Sequence, residues 1–398
     1  MWIARILGYR FGVAWIGLPK AMLWHGQTLC YRVGKACAYD KPSKNYYYYD
    51  RRISPDCRSN PHTKYRLGID RMMKMMPINA VTSVRMTVAD MDRSIHFYTT
   101  VLACQKVSDC QVSGVETDRI SGLADVQMRV VKLQLGDESF ELAEFLTPKG
   151  RPIPADSCSN DRWCEHIAIV VRDLEQAYQH LHHHWGSQTS PTPQALPAWN
   201  PVTGGIESFY FKDPDGHNLK LIYFPADKGD PKWHSATESL FLGIDRIAIV
   251  VADTAMSIAF YCYLLGMQLQ QQSENSGSEQ EKLSGIPDPK VKISSLKASA
   301  GLGIELLEYL APDDGRPIPI HTRPNDIWCC QVMVTWQDPI STFQQLEAVQ
   351  FPLLATVVRE ARHQGEPVSA SDLGSSQCYP IRDPDGHIIN PIFTKVRG

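Results

Sequence analysis

One stretch of this chain is written twice. Residues 141–154 read ELAEFLTPKGRPIP, and residues 304–319 read IELLEYLAPDDGRPIP. The match runs on in both directions. VADMDRSIHFY (Val88 to Tyr98) recurs as VADTAMSIAFY (Val251 to Tyr261), NDRWCEHIAIVV (Asn160 to Val171) as NDIWCCQVMVTW (Asn325 to Trp336), and DPDGH at 213–217 returns at 383–387. The offset between copies is 163 residues at the first of these motifs, 165 at the second and 170 at the last. So small a drift means that one unit of about 165 residues is repeated in order, with short loop insertions.

Each unit divides again into two halves of similar order. In the first, an alternating run over Ala80–Val88 predicts a strand. Asp90 or Asp92 then caps a helix that places Met91, Ile95, Tyr98 and Leu102 on one face. Further alternating runs cover Gln105–Val112, Val126–Leu135 and Ser139–Phe145, so this half reads βαβββ. The second half has a strand at His166–Val171, a helix at Asp173–Trp185 stopped by Gly186, and strands at Ile206–Phe211 and Asn218–Phe224 joined by the DPDG turn. Unit two repeats the pattern, its second helix starting at Asp338–Pro339 with Pro at the first helical position. The fold class is α+β. The units span 80–225 and 243–396, with 226–242 as linker.

Composition removes several function classes. The 398 residues carry a net charge of −3, but unevenly. Residues 1–76 hold 14 Lys and Arg against 4 Asp and Glu, and the remainder holds 26 against 39. An acidic body argues against nucleic acid as a partner, and no apolar run is long enough to span a membrane. The 11 Cys form no CxxC pair, which points to reduced thiols and a cytoplasmic protein. The segment 1–76 has no acid before Asp40 and no clear period. We expect it to be poorly structured: either a basic targeting segment, or upstream sequence foreign to the natural protein, with initiation at Met75 or Met76.

Two βαβββ units, each with VxDxxxSxxFY after strand one, a Glu-Leu strand four and DPDGH near its end, resemble the vicinal oxygen chelate superfamily of glyoxalases, bleomycin-resistance proteins and extradiol dioxygenases. The resemblance covers about residues 80–225 and 243–396. It implies that each unit curls its eight strands into an open U-shaped barrel. It also implies a divalent metal in the mouth, held by a His or Gln on strand one, a Glu on strand four, a His on strand five and a Glu on strand eight.

Carried over by position, those places hold Ser83, Glu141, His166 and Lys220 in unit one, and Arg246, Glu305, Gln331 and Asn390 in unit two. Unit one keeps two of four ligands, Glu141 and His166, which become the candidate catalytic and metal-binding pair. The remaining six are candidate ligand-binding residues. Each unit gains a fixed cation, and we expect Lys220 to neutralise Glu141 and Arg246 to neutralise Glu305 where a metal would otherwise do so. Arg151 and Arg316 of the two GRPIP loops are candidate bridges between units. The expected function is binding of a small oxygenated organic molecule in barrel-mouth pockets without a cofactor, with a homodimer as the assembly. The alternative is a lyase, isomerase or dioxygenase of glyoxalase type using Fe, Mn, Ni or Zn in the first unit.

Overall fold

The computed structural model describes residues 77–336 and 380–392. The basic segment 1–76 and the helix expected from Asp338 lie outside the described residues. The first half-unit comprises β1 (Ile78–Thr87), α1 (Met91–His96) running into a π-helical turn (Phe97–Val101), β2 (Gln105–Ser113), α2 (Val115–Ser121), β3 (Gln127–Leu135) and β4 (Glu138–Thr147). The second comprises β5 (Cys164–Val171), α3 (Leu174–His184), the short β6 (Gln194–Ala195), β7 (Glu207–Lys212) and β8 (Asn218–Tyr223). Unit two opens with β9 (Phe241–Val250), α4 (Thr254–Ile258), β10 (Gln268–Ser276), α5 (Ser278–Ser284), β11 (Lys290–Lys297), β12 (Ala300–Gly301) and β13 (Gly303–Ala311). It closes with β14 (Cys330–Trp336), β15 (Ile381–Arg382) and β16 (Ile388–Ile392). Asp90 caps α1, its side chain accepting from Arg93 N, and Asp173 caps α3 in the same way through Gln176 N.

The two eight-stranded sheets do not follow the repeat boundary. The first runs β15-β16-β14-β1-β4-β3-β2, with β12 also on β1; the second runs β10-β11-β13-β9-β5-β8-β7-β6. Apart from the two-residue β12, each sheet therefore takes the first half of one unit and the second half of the other. The α+β class and the tandem repeat stand, but the expectation that each unit closes its own barrel is corrected. The joints are antiparallel and reciprocal: β1 pairs with β14 (Val84 opposite Val332), and β5 pairs with β9 (Ile167 opposite Ile247).

The crossing is built by the loop motifs. Arg151 of the first GRPIP grips Asp326 through Nε (2.9 Å) and Nη2 (2.6 Å), and Arg316 of the second grips Asp161 at 2.8 and 2.6 Å. Each guanidinium also lies over the Trp of the opposing motif, Trp328 at 4.7 Å and Trp163 at 5.2 Å. Their preceding glycines have no room for a side chain. A Cβ on Gly150 would sit 1.7 Å from Asn325 O, and one on Gly315 would sit 1.9 Å from Asn160 O. GRPIP and NDxWC are thus two halves of one lock, each half supplied by a different unit.

The main core lies between the helix-bearing faces of the two sheets. It joins Val84, Met86, Phe97 and Tyr98 to Ile167, Phe209, Ile247 and Val334. The DPDGH turns pin this interface. Asp213 accepts from the backbone of its own turn and from Tyr98 OH in the π-helical turn after α1 (3.0 Å), and Asp383 accepts likewise from Tyr261 (3.0 Å). His217 donates through Nδ1 to Asp213 (2.9 Å), while its Nε2 meets Ile327 O (2.7 Å). Burial alone would lower the His217 pKa from its ordinary 6.5, but the Asp213 carboxylate outweighs it and holds the imidazole at about 9. A raised folded-state pKa stabilises fully below about 6.5, and that contribution is lost as pH rises through about 9. Unfolding free energy is therefore expected to fall by on the order of 2–3 kcal/mol across this window. Chemical denaturation at pH 6 and pH 9.5 should show this loss in the native protein and a flatter profile in His217→Asn; equal slopes would refute it.

Candidate functional site

Strand alternation divides each sheet into two faces. On β5, Ile167, Ile169 and Val171 enter the main core, so His166, Ala168 and Val170 face the opposite, concave side. The same parity places Lys220 beside Ile222 on β8, Arg246 beside Ala248 on β9 and Glu305 beside Leu307 on β13. These four residues form one ring on the concave face of the second sheet. Each unit contributes two of them.

The ring is buried. His166 is 1% exposed, Glu305 5% and Lys220 8%. Arg246 Nη1 donates to Glu305 Oε1 at 2.6 Å, and Ser295 Oγ meets the same oxygen at 3.3 Å. Arg246 Nε donates to Asp245. That neighbour reaches the ring because β9 carries one extra residue: Ala168 is opposite Arg246 while Ile169 is opposite Ile244, leaving Asp245 bulged. Tyr210, opposite Lys220 on β7, sets its ring 4.9 Å from that of His166 and 5.7 Å from Lys220 Nζ. Burial pushes the Glu305 carboxyl up, but the charges of Arg246 and Lys220 outweigh it and hold it below the usual carboxylate range. His166 moves the other way: burial first, then the Lys220 and Arg246 charges, drive its pKa well below 6.5, so the imidazole is neutral. Both its ring nitrogens are buried without a hydrogen-bond partner.

The first sheet carries the other four positions with different chemistry. Ser83, 5% exposed, lies on β1 opposite Met333. Glu141 on β4 takes the Arg85 guanidinium, at 2.8 Å from Nε and 2.7 Å from Nη2. Asn390 Nδ2 donates to Gln331 Oε1 at 2.8 Å, and both amides are buried. Arg85 is the cation of this ring, two residues beyond the place that Arg246 fills in the other.

Several expectations change. The candidate catalytic and metal pair, Glu141 and His166, is not brought together: Glu141 stands on β4 in the first sheet and His166 on β5 in the second. For the same reason Lys220 does not neutralise Glu141, whose partner is Arg85. The expected pairing of Arg246 with Glu305 is present. Sequence reading missed Arg85, Tyr210 and Asp245. Arg85 shares a face with Ser83 by simple alternation, and Tyr210 follows from folding the hairpin about DPDG. Asp245 needed the bulge, which no alternating pattern announces.

Neither ring's donor set fits the divalent metal that the resemblance implies. The second offers one His and one Glu beside two cations, and Glu305 is already paired. The first offers one Glu, held by Arg85, and two amides. Among the described residues, no group of three or more His, Cys, Asp or Glu side chains is placed to hold a metal ion. A cavity of about 630 Å³, lined by His180, Lys232, Trp233 and the β3–β4 turn, lies outside both rings.

Two eight-stranded mixed sheets, drawn crosswise from two copies of one repeat, define a tandem α+β protein. The chain belongs to the Glyoxalase/Bleomycin resistance protein/Dioxygenase superfamily, whose sequence model matches residues 78–221 and 243–390. It is similar to a 2-epi-5-epi-valiolone epimerase from Actinomyces sp, 30% identical over 153 residues, covering 37% of this chain and 80% of the relative. Among solved structures, a mutant form of glyoxalase I from Zea mays superposes with a TM-score of 0.51 at 17% identity, over 82% of this chain and 96% of that one. At that identity the likeness concerns the fold alone. Among the described residues no helix is long and apolar enough to cross a membrane.

Proposed function

We propose that the second sheet's ring binds a small, uncharged, polyhydroxylated or hydroxy-carbonyl compound without a metal. The observation that carries this reading is His166, a buried neutral imidazole with two unpartnered nitrogens. One nitrogen donates and the other accepts, which is what a hydroxyl group complements. The charges around it already balance: Lys220 and Arg246 stand against Glu305 and Asp245. A ligand with net charge would leave one of them unmatched, whereas a neutral oxygenated molecule uses their remaining donors and acceptors without disturbing the pairs. The Tyr210 ring offers an aromatic face beside the imidazole.

An orphaned buried polar group costs roughly 1–3 kcal/mol. His166→Leu is therefore expected to raise the stability of the unliganded protein by about 1 kcal/mol, and to weaken ligand binding at least tenfold, ~1.4 kcal/mol. A merely structural histidine would give the opposite stability change. The test is calorimetric titration of the protein with myo-inositol, dihydroxyacetone and pyruvate, with and without EDTA. Heat from the neutral compounds that survives EDTA and disappears in His166→Leu supports the reading. Binding of pyruvate alone, or only with added divalent metal, sinks it.

A second reading adds chemistry at the same place. The 30% likeness to an epimerase, together with an unprotonated His166, favours proton transfer at the carbon beside a carbonyl. His166 takes the carbon-bound proton, and the electron pair moves onto the carbonyl oxygen, where Lys220 and Arg246 stabilise the negative charge. Incorporation of deuterium from D2O into dihydroxyacetone, lost in His166→Leu, tests it.

A further inference from the structure

The second sheet's strand order starts at β10 and ends at β6, yet the two ends meet. Asn200, in the loop after β6, donates from Nδ2 to Asn275 Oδ1 on β10 (3.2 Å) and to Glu274 O (3.4 Å). Thr203 Oγ1 donates to the same Asn275 oxygen at 3.3 Å. Beside them, Ser190 Oγ donates to Leu283 O (2.8 Å) and Ser159 Oγ to Ser284 O (2.7 Å), both on α5. Asn200, Thr203 and Asn275 are 6%, 9% and 6% exposed. Elsewhere around the curl, neighbouring strands share backbone ladders. Here, among the described residues, β6 pairs only with β7, and β10 only with β11. Side-chain hydrogen bonds, not a backbone ladder, close the circle.

The segments on either side of this seam cover the ring. Leu196 and Ile206 pack onto Ala168, Ile222 and Phe224 on one wall, and Ile286 packs onto Ala248 and Leu307 on the other. With His166, Glu305 and Lys220 at 1–8% exposure, a ligand reaches the ring only when something parts. We propose that the Asn200–Asn275–Thr203 seam is the entrance: it opens to admit the ligand and closes over it, with Asn275 as the latch. The other boundaries of the curl would have to break whole backbone ladders, whereas the seam breaks a few side-chain bonds. Gly205 and Gly277, both at positive φ (+79° and +89°), flank the moving segments and give the backbone freedom there. The inference rests on the ring being the binding site, but its test does not need the ligand.

Diethyl pyrocarbonate, which acylates neutral imidazole, is the probe, with peptide mapping by mass spectrometry on the full chain. Asn275→Ala is expected to speed acylation of His166 at least tenfold while exposed His96 reacts at its original rate. Gln272→Ala is the control, because Gln272 bonds Ser294 Oγ (2.8 Å) within the β10–β11 ladder and not across the seam; it should leave the His166 rate unchanged. Less than a twofold gain in Asn275→Ala overturns the proposal. So does an equal gain in Gln272→Ala, or a parallel gain at His96. If His166 acylation accelerates as expected but the neutral hydroxy compounds do not bind, the entrance stands and the ligand reading falls.

Discussion

A chain of residues 77–240 alone is expected to have no folded monomer. It contains a full repeat, but it lacks β14, on which β1 rests, and β9, on which β5 rests. Both strands would become open edges inside the sheets, and the convex core would lose Ile247, Ile249, Val332 and Val334, all at most 2% exposed in the full chain. Two copies can repair this, because β5 of one occupies the place of β14 beside β1 of the other. The expected result is a dimer with near-native circular dichroism that unfolds on dilution, its apparent stability depending on concentration. Sedimentation velocity and thermal melts over a hundredfold concentration range would reveal it. A monomer melting at the full-length temperature would mean that the crosswise strand pairing is wrong.

Arg246→Ala is expected to destabilise the protein by about 3–5 kcal/mol, since it leaves the buried Glu305 carboxylate without its guanidinium. The double substitution Arg246→Leu with Glu305→Leu should recover most of the loss, because a packed apolar pair replaces a desolvated ionic one. The corresponding pair in the first sheet is wetter. The Arg85 and Glu141 side chains are 20% and 19% exposed, against 17% and 7% for Arg246 and Glu305. Arg85→Ala should therefore cost only about 1 kcal/mol, nearer the surface-pair range. Denaturant titrations of the three variants decide the matter. A neutral Arg246→Ala, or equal costs at the two sites, would remove the distinction between a buried ring and a solvated one.

Much of the fold was legible because its signals are local. The four motif pairs fixed the repeat, alternation marked the strands, and Asp90 and Asp173 marked the helix starts. Which half pairs with which was not legible. Alternation tells a strand which face to bury, and it is silent about the neighbour it joins when two nearly identical candidates exist. The error then spread to the site. In the first unit the companions were misassigned: Glu141 was matched with His166 and Lys220 on the other sheet, whereas its partner is Arg85; within the second unit the expected pairing of Arg246 with Glu305 is present. Glu144 and Glu308 sit outside both rings and serve the helices instead. They accept from the first turns of α1 and α4, through Met91 N and through Thr254 N and Oγ1.

The crosswise pairing also bears on how two sites in one molecule are able to differ. In a symmetric assembly of identical chains, every substitution is entered in both sites at once, so neither can change alone. Here each ring draws one half from each repeat, and the repeats lie on a single chain. A substitution such as Lys at 220 or Gln at 331 is therefore written into one ring only. The first ring carries amides and a more exposed ion pair, and the second a charge-balanced set around a buried imidazole. The link between the units lets the two sites differ while each still depends on both repeats. Each ring remains intact only while both repeats are folded.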